Sequence, residues 1–239
     1  IKTPIGVIKG YLDILADDNN LPEKTRDEFI AKARAYADRL INLVNDISAI
    51  TRLDEGAGII VTEQVDYHDV VYTVSEDLTT SGVLNDMDFT FDVPIGTMVK
   101  GNHALLTAML LNLAKNSANY SHGTYCRLEM YTPSVEDLAA SAMTDADRDS
   151  QTNSAPTDPD GYYYFRFYDN GVGVPPEHLQ HIFQRFYRIE SGRGRKSGGT
   201  GLGLAIVYNT VTAHGGTIKS KLHSTGGLEI DFRSQNGEI

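Results

Sequence analysis

The chain has 239 residues, 41% of them hydrophobic, and a formal net charge of -11, so it can build a real core in one large domain or two unequal ones. The acidic balance argues against a general phosphate-coating surface for DNA or RNA and leaves room only for a local basic patch. A single cysteine, Cys126, excludes an internal disulfide and a multi-cysteine zinc site, and no run approaches the roughly 20 apolar residues needed to cross a bilayer.

Ile1, Ile5, Ile8, Leu12 and Leu15 recur at steps of four and three, which predicts a helix with a coiled-coil-like seam. The seam opens at residue 1 with no capping residue before it. The expectation is therefore a longer helix continuing upstream, with Pro4 as an internal kink. After the polar break 17–20, Pro22, Glu23, Asp27 and Glu28 suit a first helical turn, and a second stripe follows through Ile30, Ala33, Ala37, Leu40, Val44, Ile47 and Thr51. Two seams joined by a short turn predict an antiparallel hairpin over residues 1–57. One hairpin cannot bury both faces, so it either pairs with a second copy into a four-helix bundle or packs on its own downstream domain.

A Gly-containing linker at 54–58 ends the helical period. Beyond it, strands are predicted at 58–62, 88–93, 96–100, 124–132, 162–169, 216–222 and 228–233, and helices at 67–84, 104–121, 176–183 and 202–214. This order predicts an α+β chain in which the hairpin is followed by an α/β sandwich, one sheet with helices on one face, over 58–239. Residues 133–160 carry seven acids against Arg148 with many Ser, Thr, Ala and Pro, and read as an acidic flexible insertion between two strands.

Chemistry concentrates between Asp169 and Gly203: DNGVGV after an aromatic strand, then FQRFYR, then GGTGLGL opening a helix. Glycines before a helix let backbone approach a phosphate, and the free amides of the first turn point at the anion. Gly199, Gly201 and Gly203 stand in those positions, although a tight turn alone would also use them. Residues 184–200 add Arg185, Arg188, Arg193, Arg195 and Lys196 against Glu190 alone, a local +4 in an acidic chain. No Lys-Ser or Lys-Thr follows the glycines, which excludes a P-loop, and no strand precedes them, which excludes a dinucleotide-binding start. Asn112 and Asn116 lie one turn apart on one helix face, and their neutral oxygens suit a magnesium ion already bridged to phosphates, though such a pair is also met by chance on surfaces.

Together these segments resemble the ATP-binding fold shared by sensor histidine kinases, gyrase, Hsp90-type chaperones and MutL-type repair ATPases, in the order N box, DxGxG box, F box and second glycine box. The resemblance implies that Asp169 accepts a hydrogen bond from the adenine amino group, with Gly171 and Gly173 allowing close approach of base and ribose. It implies that Asn116 holds Mg2+, Asn112 supports the phosphates and Tyr120 borders the nucleotide. Phe183 and Phe186 would anchor the lid, Arg188 would reach the terminal phosphate, and Gly199, Thr200, Gly201, Leu202 and Gly203 would form the phosphate loop. The opening IKTPIGVIKGYLDIL is similar to the histidine-kinase H box just after its phosphoacceptor. Thr3 and Pro4 match the end of that box, so the acceptor His would lie before Ile1. Thr3 would then occupy the position that orients water in the reverse, dephosphorylating activity.

That family membership implies ATP and Mg2+ as cofactors, a homodimer through the hairpin, a response-regulator receiver as partner and no nucleic acid. It also implies a cytoplasmic location, with membrane anchoring of the full-length bacterial protein only through upstream segments. Asn112 stands where hydrolytic relatives place a general-base Glu, which favours transfer to a protein nucleophile over water attack. Two departures remain: Asn119 replaces a common Lys or Arg, and Lys115 replaces a common acid. The first reading is a histidine-kinase core; the alternatives are a pseudokinase that only binds nucleotide and, more weakly, a hydrolytic ATPase.

Overall fold

The computed structural model describes residues 2–17, 21–54, 61–84, 86–133, 161–189 and 199–237. The two predicted seams form helices α1 (Lys2–Asp17) and α2 (Glu23–Asp54), which pack on each other with Tyr11 and Phe29 rings 5.3 Å apart. Pro4 falls in the first turn of α1 as described, where its missing N–H costs no helical hydrogen bond. Within this hairpin Ala33 is buried, whereas Ile5, Leu12, Ile30, Ile41 and Val44 are each about half exposed. Among the described residues, the downstream region covers the end of α2, where buried Ile50 meets Leu202 and Ile206, with Leu43 and Ala49 packed against them.

The downstream region contains β1 (Glu63–Asp66), α3 (Tyr67–Ser81), β2 (Asp88–Asp92), β3 (Met98–Gly101), α4 (His103–Tyr120), β4 (Tyr125–Met130), β5 (Tyr162–Asp169), α5 (Pro176–Leu179), α6 (Gly203–Ala213), β6 (Ile218–Leu222) and β7 (Leu228–Gln235). Five strands form a sheet in the order β2-β4-β5-β7-β6, with β2 and β4 parallel and every other pair antiparallel, and β1 pairs with β3 in a separate ribbon. Alternation along β5 sends Phe165 and Phe167 into a core shared with Val70, Val74 and Leu78 of α3, Leu106, Leu110 and Leu113 of α4, and Val207 and Val211 of α6. The residues between them, Arg166 and Tyr168, lie on the opposite face. There Arg166 pairs with Asp231 at 2.8 Å and with Glu229, and Lys221 pairs with Asp231 at 2.8 Å. A sheet with an apolar helix-covered face and an ionic outer face is the predicted sandwich.

Local chemistry explains where boundaries differ from the sequence reading. The first strand runs over Glu63–Asp66 instead of 58–62, because its register is set by pairing with β3 and Val65 is the residue it buries; residues 58–60 lie outside the described set. Helix α3 stops at Ser81 because Gly82 adopts φ +64°, a left-handed C-cap. The strand predicted to open at 96 starts at Met98, since Gly96 at φ +79° belongs to a turn closed by Thr97 N–H donating to Pro94 O at 3.3 Å. Helix α5 ends at Leu179, four residues early, as His181 and Gln184 N–H groups make tight i→i+3 bonds to His178 and His181 carbonyls. The acidic insertion, apart from Pro133, lies outside the described residues, as does the predicted linker beyond Asp54.

One side chain ties the two helices that carry the glycine and asparagine motifs. His214, just beyond α6, accepts a hydrogen bond at Nε2 from the backbone N–H of Asn102 at 2.8 Å, so its Nδ1–H donates to Thr210 O at 2.6 Å. Asn102 is in turn the N-cap of α4, its Oδ1 accepting from Leu105 N–H at 3.1 Å. Burial holds the His214 imidazole below its ordinary 6.5, against the pull of the Thr210 bond, so the folded protein keeps it neutral. In the unfolded chain it protonates once pH falls below 6.5, so stability is complete above that value and declines as pH drops through it toward the folded value. Urea midpoints at pH 7.5 and 5.5 should therefore differ, and the difference should shrink in His214→Gln. An equal difference in the variant would remove His214 from the linkage.

Candidate functional site

The apolar face of α4 runs Leu106, Leu110, Leu113, and at the next step the same spacing delivers Ser117. That hydroxyl is buried and donates to Asp169 Oδ2 at 2.8 Å. Asp169 ends β5 and is only 2% exposed, its other oxygen accepting from Gly171 N–H at 3.0 Å and Leu228 N–H at 3.4 Å. A carboxylate this enclosed is tolerable because each oxygen has a donor, and the pattern holds its plane in one orientation. The nearby Cys126 thiol is pushed up to about 12, first by burial and then by the Asp169 charge, which leaves it protonated and unreactive.

Glycines close around this carboxylate. A Cβ at Gly171 would lie 2.1 Å from Ser121 O, and one at Gly173, where φ is +66°, would lie 2.3 Å from Gly226 O. The missing side chains therefore let the loop pack directly onto the end of α4 and the β6–β7 turn. Gly227, which the sequence reading passed over as turn residue, is equally constrained, with a Cβ there 1.9 Å from Asp169 O.

The asparagine pair divides. Asn112 turns its amide nitrogen back to Ala108 O at 2.9 Å and lies against Gly203, where a Cβ would come within 2.7 Å of Asn112 Oδ1. This contact sets the N-terminus of α6 directly beside α4. Asn116 sits one turn further, half-buried on the same helix, and Tyr120 is 41% exposed at its end. Asn119 donates to Lys115 O at 2.8 Å, so its side chain is folded onto its own helix.

Residues 190–198 of the basic segment lie outside the described set, and the residues on either side are tied together. Phe186 N–H donates to Gly201 O at 2.8 Å, and Arg188 Nη1 donates to Gly199 O at 3.0 Å. The two phenylalanines expected to anchor this segment behave differently. Phe183 packs on the core with Tyr208 5.8 Å away, but Phe186 leaves its ring 68% exposed at φ +64° and contributes only its backbone. Gly201 accepts this close approach at φ +72°, with its would-be Cβ 2.9 Å from Phe186 C.

Thr200 and Leu202 connect the loop to the hairpin. The Thr200 hydroxyl donates to Asp46 Oδ2 of α2 at 2.9 Å and accepts from Leu202 N–H at 3.2 Å, while Leu202, 1% exposed, packs on Ile50 and Ile206. Burial raises the Asp46 carboxyl above its usual range, and the Thr200 bond and the Lys115 charge pull it back down. Nothing in the sequence near Asp46 marks it, since its role depends on a partner 154 positions away. Thr3 lies in the first turn of α1 and its side chain is outside the described set.

Residues 101–236, more than half of the chain, match the family described as histidine kinase-, DNA gyrase B- and HSP90-like ATPase, and residues 1–56 match the His Kinase A phospho-acceptor domain. The chain is 28% identical over 219 residues to the sensor protein kinase WalK of Staphylococcus aureus, covering 91% of this chain and 47% of that protein. Against the same kinase from strain Newman it covers 32% of the relative, so the chain spans between a third and a half of the relatives it matches. In fold it resembles the histidine kinase AdeS of Acinetobacter baumannii, with a TM-score of 0.68 and 18% identity over 99% of this chain and 97% of that one. It also resembles full-length ShkA solved in complex with AMPPNP, with a TM-score of 0.63 and 20% identity over 99% of this chain and 47% of that one.

Removing the Ser117 hydroxyl tests how the carboxylate is held. Ser117→Ala should destabilise the protein by about 1–3 kcal/mol in urea unfolding, the cost of leaving a buried charged acceptor without its donor. A change under about 0.5 kcal/mol would show that Asp169 is held by its backbone donors alone.

Proposed function

We propose that this chain, which belongs to the sensor histidine kinases through its phospho-acceptor and ATP-binding domains, moves the terminal phosphoryl group of ATP to a histidine imidazole. From there the group passes to an aspartate of a response-regulator receiver. The observation that carries this reading is Asp169: a buried carboxylate fixed by Ser117 and two backbone N–H groups, in a wall of glycines that packs the site without side chains. Its remaining acceptor capacity suits an adenine amino group.

The residues present fit both groups. The N-terminus of α6 beside Asn112 offers backbone N–H groups to phosphates, and Arg188, at the edge of the same loop through Gly199 O, supplies positive charge for the terminal one. Magnesium bound to triphosphate keeps water and phosphate oxygens and needs few protein ligands, so the single amide oxygen of Asn116 is a sufficient donor. When bound, the ion neutralises charge on the transferring phosphoryl group. Asn112, its nitrogen committed to Ala108 O, cannot take a proton from water, and this disfavours hydrolysis. Thr3 is positioned in the sequence to orient water for the reverse reaction on the regulator.

The seven histidines, His68, His103, His122, His178, His181, His214 and His223, all lie beyond the hairpin, so the acceptor imidazole is not among these 239 residues. The exposed seam of α1 and α2, with Ile41 and Val44 about half exposed, suits pairing with a second copy into a four-helix bundle. Among the described residues no helix is long and apolar enough to cross a membrane. The cytoplasmic placement, and membrane anchoring of the full-length protein, rest on the family alone.

A second reading, a pseudokinase that only binds nucleotide, is favoured by Asn119. Its amide is folded onto Lys115 O where a cation is common in the family. Radiolabelled ATP and Mg2+ offered with a separate hairpin carrying the missing His separate the two. Acid-labile, base-stable label on the supplied hairpin, lost with EDTA and reduced at least 100-fold in Asn116→Ala, is the kinase outcome. Nucleotide binding with no label is the pseudokinase outcome. Steady phosphate release without any acceptor would return the hydrolytic reading.

The hairpin makes its own prediction. Light scattering should give twice the monomer mass for the intact chain, and Ile41→Asp together with Val44→Asp should halve it, since both charges would be buried in the bundle. A monomeric parent protein would refute pairing through this seam.

A further inference from the structure

We propose that Asp46 of α2 acts as an internal stand-in for a phosphate, seated on the Gly199–Gly203 loop, so that docking of the hairpin and binding of the nucleotide phosphates exclude one another. The inference rests on the nucleotide reading above and concerns how the same site is controlled. Asp46 Oδ2 accepts a hydrogen bond from the Thr200 hydroxyl at 2.9 Å, and that hydroxyl oxygen accepts from Leu202 N–H, at the N-cap of α6, at 3.2 Å. An anion held by a loop hydroxyl that is itself oriented by the amide leading into a helix is the chemistry expected of a phosphate in this loop. Here the anion belongs to the protein.

A hydroxyl has one proton to give, so Thr200 cannot donate to Asp46 and to a phosphate oxygen at once. An arriving phosphate would also sit against the Asp46 carboxylate with like charge. Binding therefore has to displace Asp46. The apolar flank of Ile50 on Leu202 and Ile206 is a contact that can slide or separate without leaving a buried charge behind. Asp46 is on this account a positioning residue, acting on the reaction through Thr200 and the loop.

Titration calorimetry of the whole chain with Mg-ATP and, separately, with adenosine tests this. Asp46→Ala should bind ATP about tenfold more tightly than the parent while its affinity for adenosine stays the same, because only the phosphates compete. Asp46→Asn, which keeps the shape and an acceptor but loses the charge, should fall between the two and controls for any folding defect of the alanine variant. Unchanged ATP affinity in both variants overturns the proposal, as does an equal gain for ATP and adenosine, which would mean a general loosening. Absence of nucleotide binding by the parent and by both variants would instead overturn the nucleotide reading itself, a distinct outcome.

Discussion

A carboxylate at the end of a central strand is a liability unless its oxygens are satisfied, and the site is organised around satisfying this one. Asp169 terminates β5, where the sheet runs out and its side chain is taken out of water, so its desolvation must be offset by donors from outside the strand. Ser117 provides one from α4, and Gly171 and Leu228 provide backbone donors from two separate turns. Three elements are thereby locked to one group. The close glycine contacts follow, since backbone can reach the carboxylate from both sides only where Gly171 and Gly227 carry no Cβ.

The same logic propagates along α4. The helix that presents Ser117 to Asp169 presents Asn112 to Gly203. One element thus touches both the end of β5 and the N-terminus of α6. Its start is secured by Asn102 and His214, which link it to the far end of α6. A displacement of α6 relative to α4 would therefore be felt at both ends of the site, because packed cores shift between discrete arrangements and do not deform smoothly.

Periodicity made the architecture legible. The 3.6-residue pattern located α1, α2, α3, α4 and α6, and the alternation of β5 fixed which of its residues face the core. The motifs from Asp169 to Gly203 mark segments that the fold ties together, with Gly171 N–H on Asp169 and Phe186 N–H on Gly201 O. What escaped was everything that depends on a partner distant in sequence. Ser117 had a signal, a polar residue at a core-facing step of an apolar face, but its meaning required Asp169 52 positions away. Gly171 and Gly173 stand out in the sequence as places of close approach, but the backbone of Ser121 and Gly226 that meets them there could not be read from it, since glycine composition shows that something approaches closely and not what approaches. Phe183 and Phe186 look equivalent in the sequence, yet φ +64° at Phe186 turns its ring outward and leaves the anchoring to its backbone. The register of β1 was lost because strand pairing, and not the apolar run before it, decides where a short edge strand begins.

Charge completes the account of how an acidic chain can hold a polyanion. At physiological ionic strength fields are screened beyond about 8 Å. A net charge of -11 spread over the surface therefore contributes little inside a pocket, where the nearest groups decide. Around Gly199–Gly203 the described groups include the amides of the first turn of α6 and the Arg188 guanidinium, which donates to Gly199 O. The carboxylate found among them is Asp46, which the proposal above makes exchangeable: its Thr200 bond joins α2 to the loop before α6, half-buried, whereas Asp169 is enclosed and fixed by three donors. Two acids thus serve one site in opposite ways. The difference follows from burial: a fully desolvated carboxylate cannot leave its donors without a large penalty, and one at an interface can pass its place to another anion.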